Sequence, residues 1–558
     1  MKRVALILLG TLALLGTNAT QSPAAMPQAD LFQDVNPGPS GSNTEAFLPF
    51  GNRLWTSANN GKTGYEPWFV GNRKLKLIED LWPGLDASDP GPGAELNGFY
   101  YFPAYDPDHG NELWRFNGNS AELVKDIWPG SEDSTPREFV RVGNRIFFVA
   151  HEPTSGRELW QIDAGGATLV ADINSGTGTS NPSYLTAYLD KVYFSAYTAA
   201  RGYELWSSDG TTTAEVGDLR PGSASSDPGS LTVAGGTLFM VANDGTNGYE
   251  LFKSSGGPAT LVADIQPGGN SSSPTSMLPF NNKLIFTANT SVSGSEPWIT
   301  DGVSVTQIGD LAPGIDSSYA SYYSRMNGKV YFVAYLSDPR LYETDGVTAR
   351  PTTATFPEGA SGFYNLAVVG NRLYLSIGTP KTGLEPWVFD GTGARMIRDI
   401  LPGPDSSYPT GYARRGNGVI FAADDGTHGA EPWLLHPDRE VKLRPGSSRL
   451  GVSKQGFAGL KLTCPANEAN GPCISKVTVS TRRPVVFRGK RRKVTMARKS
   501  IRVLTGHTGT ARLNFPKPII RLLLHTPAAR RATVTVKVHD KAGNKQTIRK
   551  SLTLGRPA

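Results

Sequence analysis

Glu204-Leu205-Trp206-Ser207-Ser208-Asp209-Gly210-Thr211 is the stretch on which the fold turns. An acid, an aliphatic and an indole run into an Asp-Gly pair, so a short strand stops at a tight reversal. The opening triplet returns at Glu66-Pro67-Trp68, Glu112-Leu113-Trp114, Glu158-Leu159-Trp160, Glu250-Leu251-Phe252, Glu296-Pro297-Trp298, Glu385-Pro386-Trp387 and Glu431-Pro432-Trp433. The first six of these glutamates are each 46 residues apart, and a degenerate copy, Arg340-Leu341-Tyr342, brings the count to nine units. Two more landmarks keep the phase. Aspartates, mostly opening an Asp-x-x-Pro-Gly turn, stand at Asp34, Asp80, Asp126, Asp172, Asp218, Asp264, Asp310 and Asp399. A glycine sits two residues before almost every landmark glutamate, as at Gly64, Gly110 and Gly156.

Within a unit the pattern is four short strands. In the third they are predicted over 138–142, 145–150, 158–162 and 167–173, with Gly143-Asn144 and Gly165-Gly166 in the hairpins. Four strands per 46 residues, with no helical periodicity of useful length, predicts an all-β chain built as a large β-propeller of about nine four-stranded blades. Seven of the ten tryptophans fall in the triplet, so one indole per unit is expected to pack between neighbouring blades. The segment Asp30-Leu31-Phe32-Gln33-Asp34-Val35 resembles a fourth strand without its first three and is expected to complete the last blade. That closure leaves no exposed edge; an open arc is the alternative. The last unit also has its own fourth-strand candidate at Glu440–Leu443.

The repeat resembles a bacterial secreted family named for its motif Glu-Leu-Trp-x-x-Asp-Gly-Thr. Residues 204–211 match it throughout, and Glu385-Pro386-Trp387 with Asp390-Gly391-Thr392 matches with Pro for Leu. The resemblance covers roughly residues 30–445. It implies secretion and a propeller-like array, and no established chemistry.

Export also follows from the start of the chain. Lys2-Arg3 precede an apolar run from Val4 to Leu15, too short to span a bilayer, and small residues follow, so 1–25 reads as a signal peptide. Cys464 and Cys473 are the two cysteines, and in an exported chain they are expected to form a disulfide. The net charge of +7 is split: residues 1–439 hold 29 basic and 46 acidic residues, whereas 440–558 hold 27 and 3. The break marks a second domain, 446–558, whose alternation predicts a small basic β-sandwich of immunoglobulin-like size. It resembles C-terminal sandwich modules of secreted high-GC Gram-positive proteins, through the Cys464/Cys473 loop and the turn Asp540-Lys541-Ala542-Gly543-Asn544. Ile519–Leu524 reads either as a helical turn or as a strand.

Candidate functional residues lie off the repeat. Trp82 and Trp128 share a slot that is Asn36, Arg220 or Gln266 in other units. Such variety predicts exposure, and two exposed indoles on one rim suit sugar rings or a protein ligand. Tyr184, Tyr188, Tyr322 and Tyr323 are expected on inner strands near the channel. Arg482, Arg483, Arg488, Lys490, Arg491, Arg492 and Lys493 form the densest basic run, expected at a loop tip and suited to an anionic envelope polymer. Nucleic acid fits less well, because the run lacks interleaved aromatics. No cofactor is expected; Asp106, Asp108, Asp424 and Asp425 lie in loops that could bind calcium, but turn formation explains them better. No zinc-protease helix, nucleophile elbow or phosphate loop occurs. The reading is a monomeric, secreted, non-enzymatic cell-surface binding protein with a glycan or protein ligand. The alternatives are an extracellular polysaccharide hydrolase or lyase using the propeller's central face, and a purely structural envelope protein.

Overall fold

Glycine hairpins divide the chain into strands much as expected. In the third unit the strands are Arg137–Val142, Arg145–Glu152, Gly156–Asp163 and Gly166–Ala171, and Gly143 in the first hairpin takes φ 57°, a conformation open to glycine without steric cost. The second strand is apolar without alternation: Ile146, Phe147, Phe148, Val149 and Ala150 are all buried. A strand covered on both faces needs no polar side, and here a neighbouring blade covers each face.

The computed structural model describes residues 29–436 apart from 45, 337–338 and 417, and then 444–445, 449–464, 473–504, 507–539 and 545–557. The expected signal peptide, the 440–443 strand and the 540–544 turn lie outside these residues.

Nine four-stranded antiparallel sheets form the propeller. Blades 1 to 8 span 48–77, 94–125, 137–171, 183–217, 229–263, 275–307, 321–351 and 361–396, and blade 9 is built from 410–435 with Ala29–Leu31. First strands of successive blades approach one another while fourth strands diverge, so the first strands ring the axis. The N-terminal strand closes the last blade, pairing Ala29 with Leu435, Asp30 with Leu434 and Leu31 with Trp433. Leu54, Trp68 and Leu75 of blade 1 share a core with Ile420 and Leu434 of blade 9, so the ring is closed rather than an open arc.

Indoles of the triplet sit between blades, as expected: Trp160 packs with Leu96, Tyr101 and Leu113 of blade 2. The landmark glutamates do something the sequence pattern did not reveal. Each is fully buried beneath the turn that leads to the next blade. Glu250 accepts the amides of Ile265 (3.1 Å), Gln266 (3.3 Å) and Ser272 (2.8 Å), and the Ser272 hydroxyl. A serine 22 residues after the glutamate makes the same hydroxyl bond in other blades: Ser88 to Glu66 at 2.7 Å, Ser134 to Glu112 at 2.7 Å and Ser226 to Glu204 at 2.7 Å. These donors satisfy a carboxyl whose burial is otherwise costly. At the seam Glu431 takes its donors from the other end of the propeller: Val35 N (3.1 Å), Asn36 N (2.9 Å) and Ser42 Oγ (2.7 Å). Blade 7 lacks the clasp at both ends. Arg340 replaces the glutamate, and the position 22 residues on is Gly362.

The basic part forms a sandwich. A five-stranded sheet runs in the order Arg449–Leu450, Lys545–Leu554, Arg531–His539, Cys473–Thr481, Thr495–Val503. A three-stranded sheet, Arg444–Pro445, Phe457–Thr463 and Thr508–Asn514, faces it. Leu460, Leu462, Val477, Val479, Leu513, Val534 and Val536 fill the space between them. Lys517–His525 is a helix, which decides between the two readings of 519–524: Ile519, Leu522 and Leu523 are its buried positions, at helical spacing. Cys464 and Cys473 are disulfide-bonded, Cα atoms 5.8 Å apart.

Candidate binding face

In an up-and-down sheet the hairpins joining strands 2 and 3, and the links from strand 4 to the next blade, share one face of the ring. On this face, just after each clasp serine, one residue adopts φ near +45°. The slot reads Asn43, Asp89, Thr135, Asn181, Asp227 and Ser273, then Tyr319 and Tyr408. Asn and Asp tolerate left-handed backbone; a bulky aromatic there is strained. Tyr319 (φ 46°) and Tyr408 (φ 47°) are nonetheless 62% and 68% exposed. Neither gains the burial that would offset the strain.

The first strands carry a second such position, at a bulge. It is Glu138, Tyr184, Ser230, Ser276, Tyr322 and Asn365, with φ between 52° and 59°, where the register shifts. Bulges re-aim side chains. Tyr184 and Tyr322 are about half exposed at it. The Tyr184 ring lies over Gly229 of the next blade, where an added Cβ would come within 3.3 Å. Tyr335 neighbours Tyr322 and Tyr364; burial and this phenol company raise its hydroxyl above the ordinary pKa.

The structure therefore divides the four inner-strand tyrosines. Tyr188 and Tyr323 are core residues, not channel aromatics: Tyr188 packs on Tyr193 (5.4 Å) and donates to Gly236 O (2.8 Å), and Tyr323 packs on Phe332 (5.0 Å) and bonds Thr287 Oγ1 (2.8 Å). The bulge explains the split: Tyr184 and Tyr322 take its left-handed position, at φ 59° and 57°, and are re-aimed, whereas Tyr188 and Tyr323 do not. Trp82 and Trp128 also depart from expectation. Both are half-buried, Trp82 against Tyr105 (6.4 Å) and Trp128 edge-on to His151 (4.5 Å) on the following blade.

Exposed tyrosines concentrate on blades 7 to 9: Tyr319 and Tyr408 on the links, Tyr322 and Tyr364 on the inner strands. A cavity of about 330 Å³ opens on the same face where blade 7 lacks its clasp, between Arg340, Pro351, Phe356, Pro357 and Phe363. The slot after the clasp serine was the signal that could have marked Tyr319 and Tyr408 in advance.

The carboxylates are otherwise engaged. Asp106 accepts the amides of Asp108 (2.9 Å) and His109 (2.6 Å) and pairs with His109 Nδ1 (2.8 Å). Asp425 treats Thr427 and His428 alike, and Asp424 accepts the Gly426 amide at 2.7 Å. Both histidines are consequently held above their ordinary pKa, chiefly by the aspartate hydrogen bond. Among the described residues no group of three or more His, Cys, Asp or Glu is placed to hold a metal.

The basic run is brought together on a hairpin, Val485–Phe487 and Lys490–Arg492. Arg482, Arg483, Arg488, Lys490, Arg491, Arg492 and Lys493 are all exposed. Arg488 and Arg492 each lie 5.7 Å over Phe487. The described residues from 444 onward include no Asp or Glu to neutralise them.

No family model and no curated protein matches the sequence. Solved structures match at low similarity. A puromycin hydrolase is 14% identical, with 68% of this chain covered and a TM-score of 0.33; the match spans 59% of that enzyme's length. The BP39L lectin from Burkholderia pseudomallei is 10% identical, over 68% of this chain and 99% of the lectin, with a TM-score of 0.29. Saccharomyces cerevisiae Sqt1 is 13% identical, over 63% of this chain and 95% of Sqt1, with a TM-score of 0.33. Overlaps of this size carry no functional argument. No helix among the described residues is long and apolar enough to cross a membrane.

Proposed function

We propose that this chain is an exported, non-catalytic binding protein of the cell surface. Its propeller holds a glycan on the face of blades 7 to 9, and its sandwich contacts anionic envelope polymers. One observation carries the first part: Tyr319 and Tyr408 stand exposed at φ 46° and 47°, where the same slot elsewhere is mostly Asn or Asp. Backbone strain retained without packing gain points to use at a surface. An exposed phenol offers a flat apolar face for a sugar ring and a hydroxyl for its polar edge. The cavity beside Arg340 gives a neighbouring recess on that face. The exposed hairpin with four cations, flanked by Arg482, Arg483 and Lys493, supports polyanion contact, which needs only clustered charge. Export is supported by the apolar run after Lys2-Arg3 and by the disulfide. Membership of the Glu-Leu-Trp-x-x-Asp-Gly-Thr family belongs to the same proposal and rests on the phase of the motif.

The test is a glycan array probed with the full chain and with Y319N/Y408N. Asn suits the turn, so the variant should fold at least as well as the parent. Retention of a glycan class by the parent and its loss in the variant is the expected result. Equal retention by both, or turnover of any glycan or peptide substrate, would overturn the assignment.

A further inference from the structure

The opposite face of the ring, formed by the hairpins joining strands 1–2 and 3–4, holds an open cavity of about 1030 Å³ at the closing seam. It lies among blades 9, 1 and 2. Its charged lining is wholly basic: Arg53, Arg73, Lys74, Lys76, Arg414 and Arg415. This happens in a region, residues 1–439, where acids outnumber bases 46 to 29. It is not a property of the repeat. The corresponding cavity between blades 3 and 4, about 550 Å³, is lined by Asp163, Asp190 and Asp209 around Arg145.

Arg415 is the most telling residue. It ends the first strand of blade 9, paired with Gly418. The same register position is Phe50, Leu96, Tyr188, Phe280, Met326 or Val369 in other blades. A core position has become arginine at the seam alone. Its side chain is half-buried, and burial lowers its pKa below the ordinary arginine value. Its Nη2 donates to Gly71 O and Asn72 O, both at 2.7 Å, and its guanidinium lies 4.4 Å over Phe32. Those bonds stitch blade 9 to blade 1, yet they engage only one of its three nitrogens. Arg53 is held in the same fashion, over Phe69 at 5.0 Å and donating through Nη1 to Gly118 O at 3.0 Å. Carbonyls and ring faces fix both guanidiniums and leave their other N–H groups without an acceptor among the described residues.

None of the six cations forms an ion pair with a carboxylate among the described residues. Glu95, tied to the adjoining turn, accepts the Gly51 amide at 2.7 Å. Arg73, Lys74, Lys76 and Arg414 are exposed. Six like charges around one recess repel each other, and a multivalent anion relieves that repulsion while meeting the planar fork of arginine.

We propose that the seam cavity is a binding site for a small multivalent tetrahedral oxyanion, a phosphate or sulfate group carried in pairs. Phosphorylated and sulfated ligands share this chemistry, and the probes below separate them. The site is distinct from the tyrosine face, from which it lies across the ring, and from the cationic hairpin of the sandwich.

Full-length protein is titrated with inorganic pyrophosphate, with a disulfated disaccharide and with orthophosphate. Saturable one-site binding of pyrophosphate or the disaccharide, stronger than that of orthophosphate, is expected, with affinity falling as salt rises. R73E/K74E alters two exposed side chains and should weaken binding by about tenfold or more. R415L returns the repeat's own type of residue but removes the seam bonds to Gly71 O and Asn72 O; it should weaken binding as well, while R73E/K74E, which breaks no seam bond, should keep the thermal midpoint. R488E/K490E, on the sandwich hairpin, should leave this binding unchanged. Pyrophosphate binding alone assigns the site to phosphates, and disaccharide binding alone to sulfated sugars. Absence of saturable binding overturns the proposal. So does binding that survives R73E/K74E and disappears in R488E/K490E.

Discussion

Removal of the seam glutamate is the sharpest test of how the ring is held. In Glu431→Ala the amides of Val35 and Asn36 and the hydroxyl of Ser42, now 2.7–3.1 Å from the carboxyl oxygens, lose their acceptor. A buried donor left unpaired costs about 1–3 kcal/mol. Three of them sum to about 3–9 kcal/mol, and the low end, about 3–4 kcal/mol, applies because the Ser42 hydroxyl keeps Ala430 O at 3.4 Å and because the substitution also relieves burial of the carboxyl, which pushes its pKa up. In the interior, Glu250→Ala loses a comparable set of bonds, but both sides of that joint remain linked through the chain. At the seam the clasp and the short strand 29–31 bind chain segments about 400 residues apart. The readout is hydrogen exchange at Phe32, whose amide donates to Pro432 O at 2.8 Å. With 1.4 kcal/mol per decade, exchange there should accelerate by about two to three orders of magnitude in Glu431→Ala. It should change little in Glu250→Ala. Unchanged protection in Glu431→Ala, or equal loss in both variants, would refute the assignment of closure to this clasp.

Two further outcomes follow from the same geometry. Burial pushes Glu66 and Glu385 up to about 7, and the other clasp glutamates upward as well. A carboxyl that binds its proton more tightly when folded adds stability that is full below about pH 4.5 and lost as pH rises through about 7, worth on the order of 3 kcal/mol for a shift of that size. The thermal midpoint should therefore decline between pH 4.5 and 7, less steeply in Glu385→Gln; a midpoint that climbs across this window would contradict it. Trp82→Ala with Trp128→Ala removes ring contacts to Tyr105 and His151 and should lower stability by about 1–3 kcal/mol in denaturant melts while leaving glycan retention intact. Lost retention with unchanged stability would return those indoles to the binding surface.

Much of the architecture was legible because its determinants are local and periodic. Glycine hairpins, one indole per unit and a strand-like segment without partners at 30–35 together specify a closed ring of blades. The role of the landmark glutamate was not legible. Its partners lie 15 to 22 residues ahead in a turn of changing sequence, and nothing in a triplet shows that its acid faces inward. The tyrosines were separated only by the structure: Tyr322 and Tyr323 are adjacent in sequence, yet a bulge turns one outward and leaves the other against Phe332. Arg415 escaped for the opposite reason. It looks like an ordinary surface cation until the strand register shows which hydrophobic residues it has displaced.

The seal between the propeller's two ends uses the same acid, the same donors and the same strand pairing as an ordinary joint. Circumference is consequently uncoupled from fastening. A recombination that adds or deletes one 46-residue module would hand the closing strand an equivalent neighbour, so descendants would widen or narrow the ring without inventing a new lock.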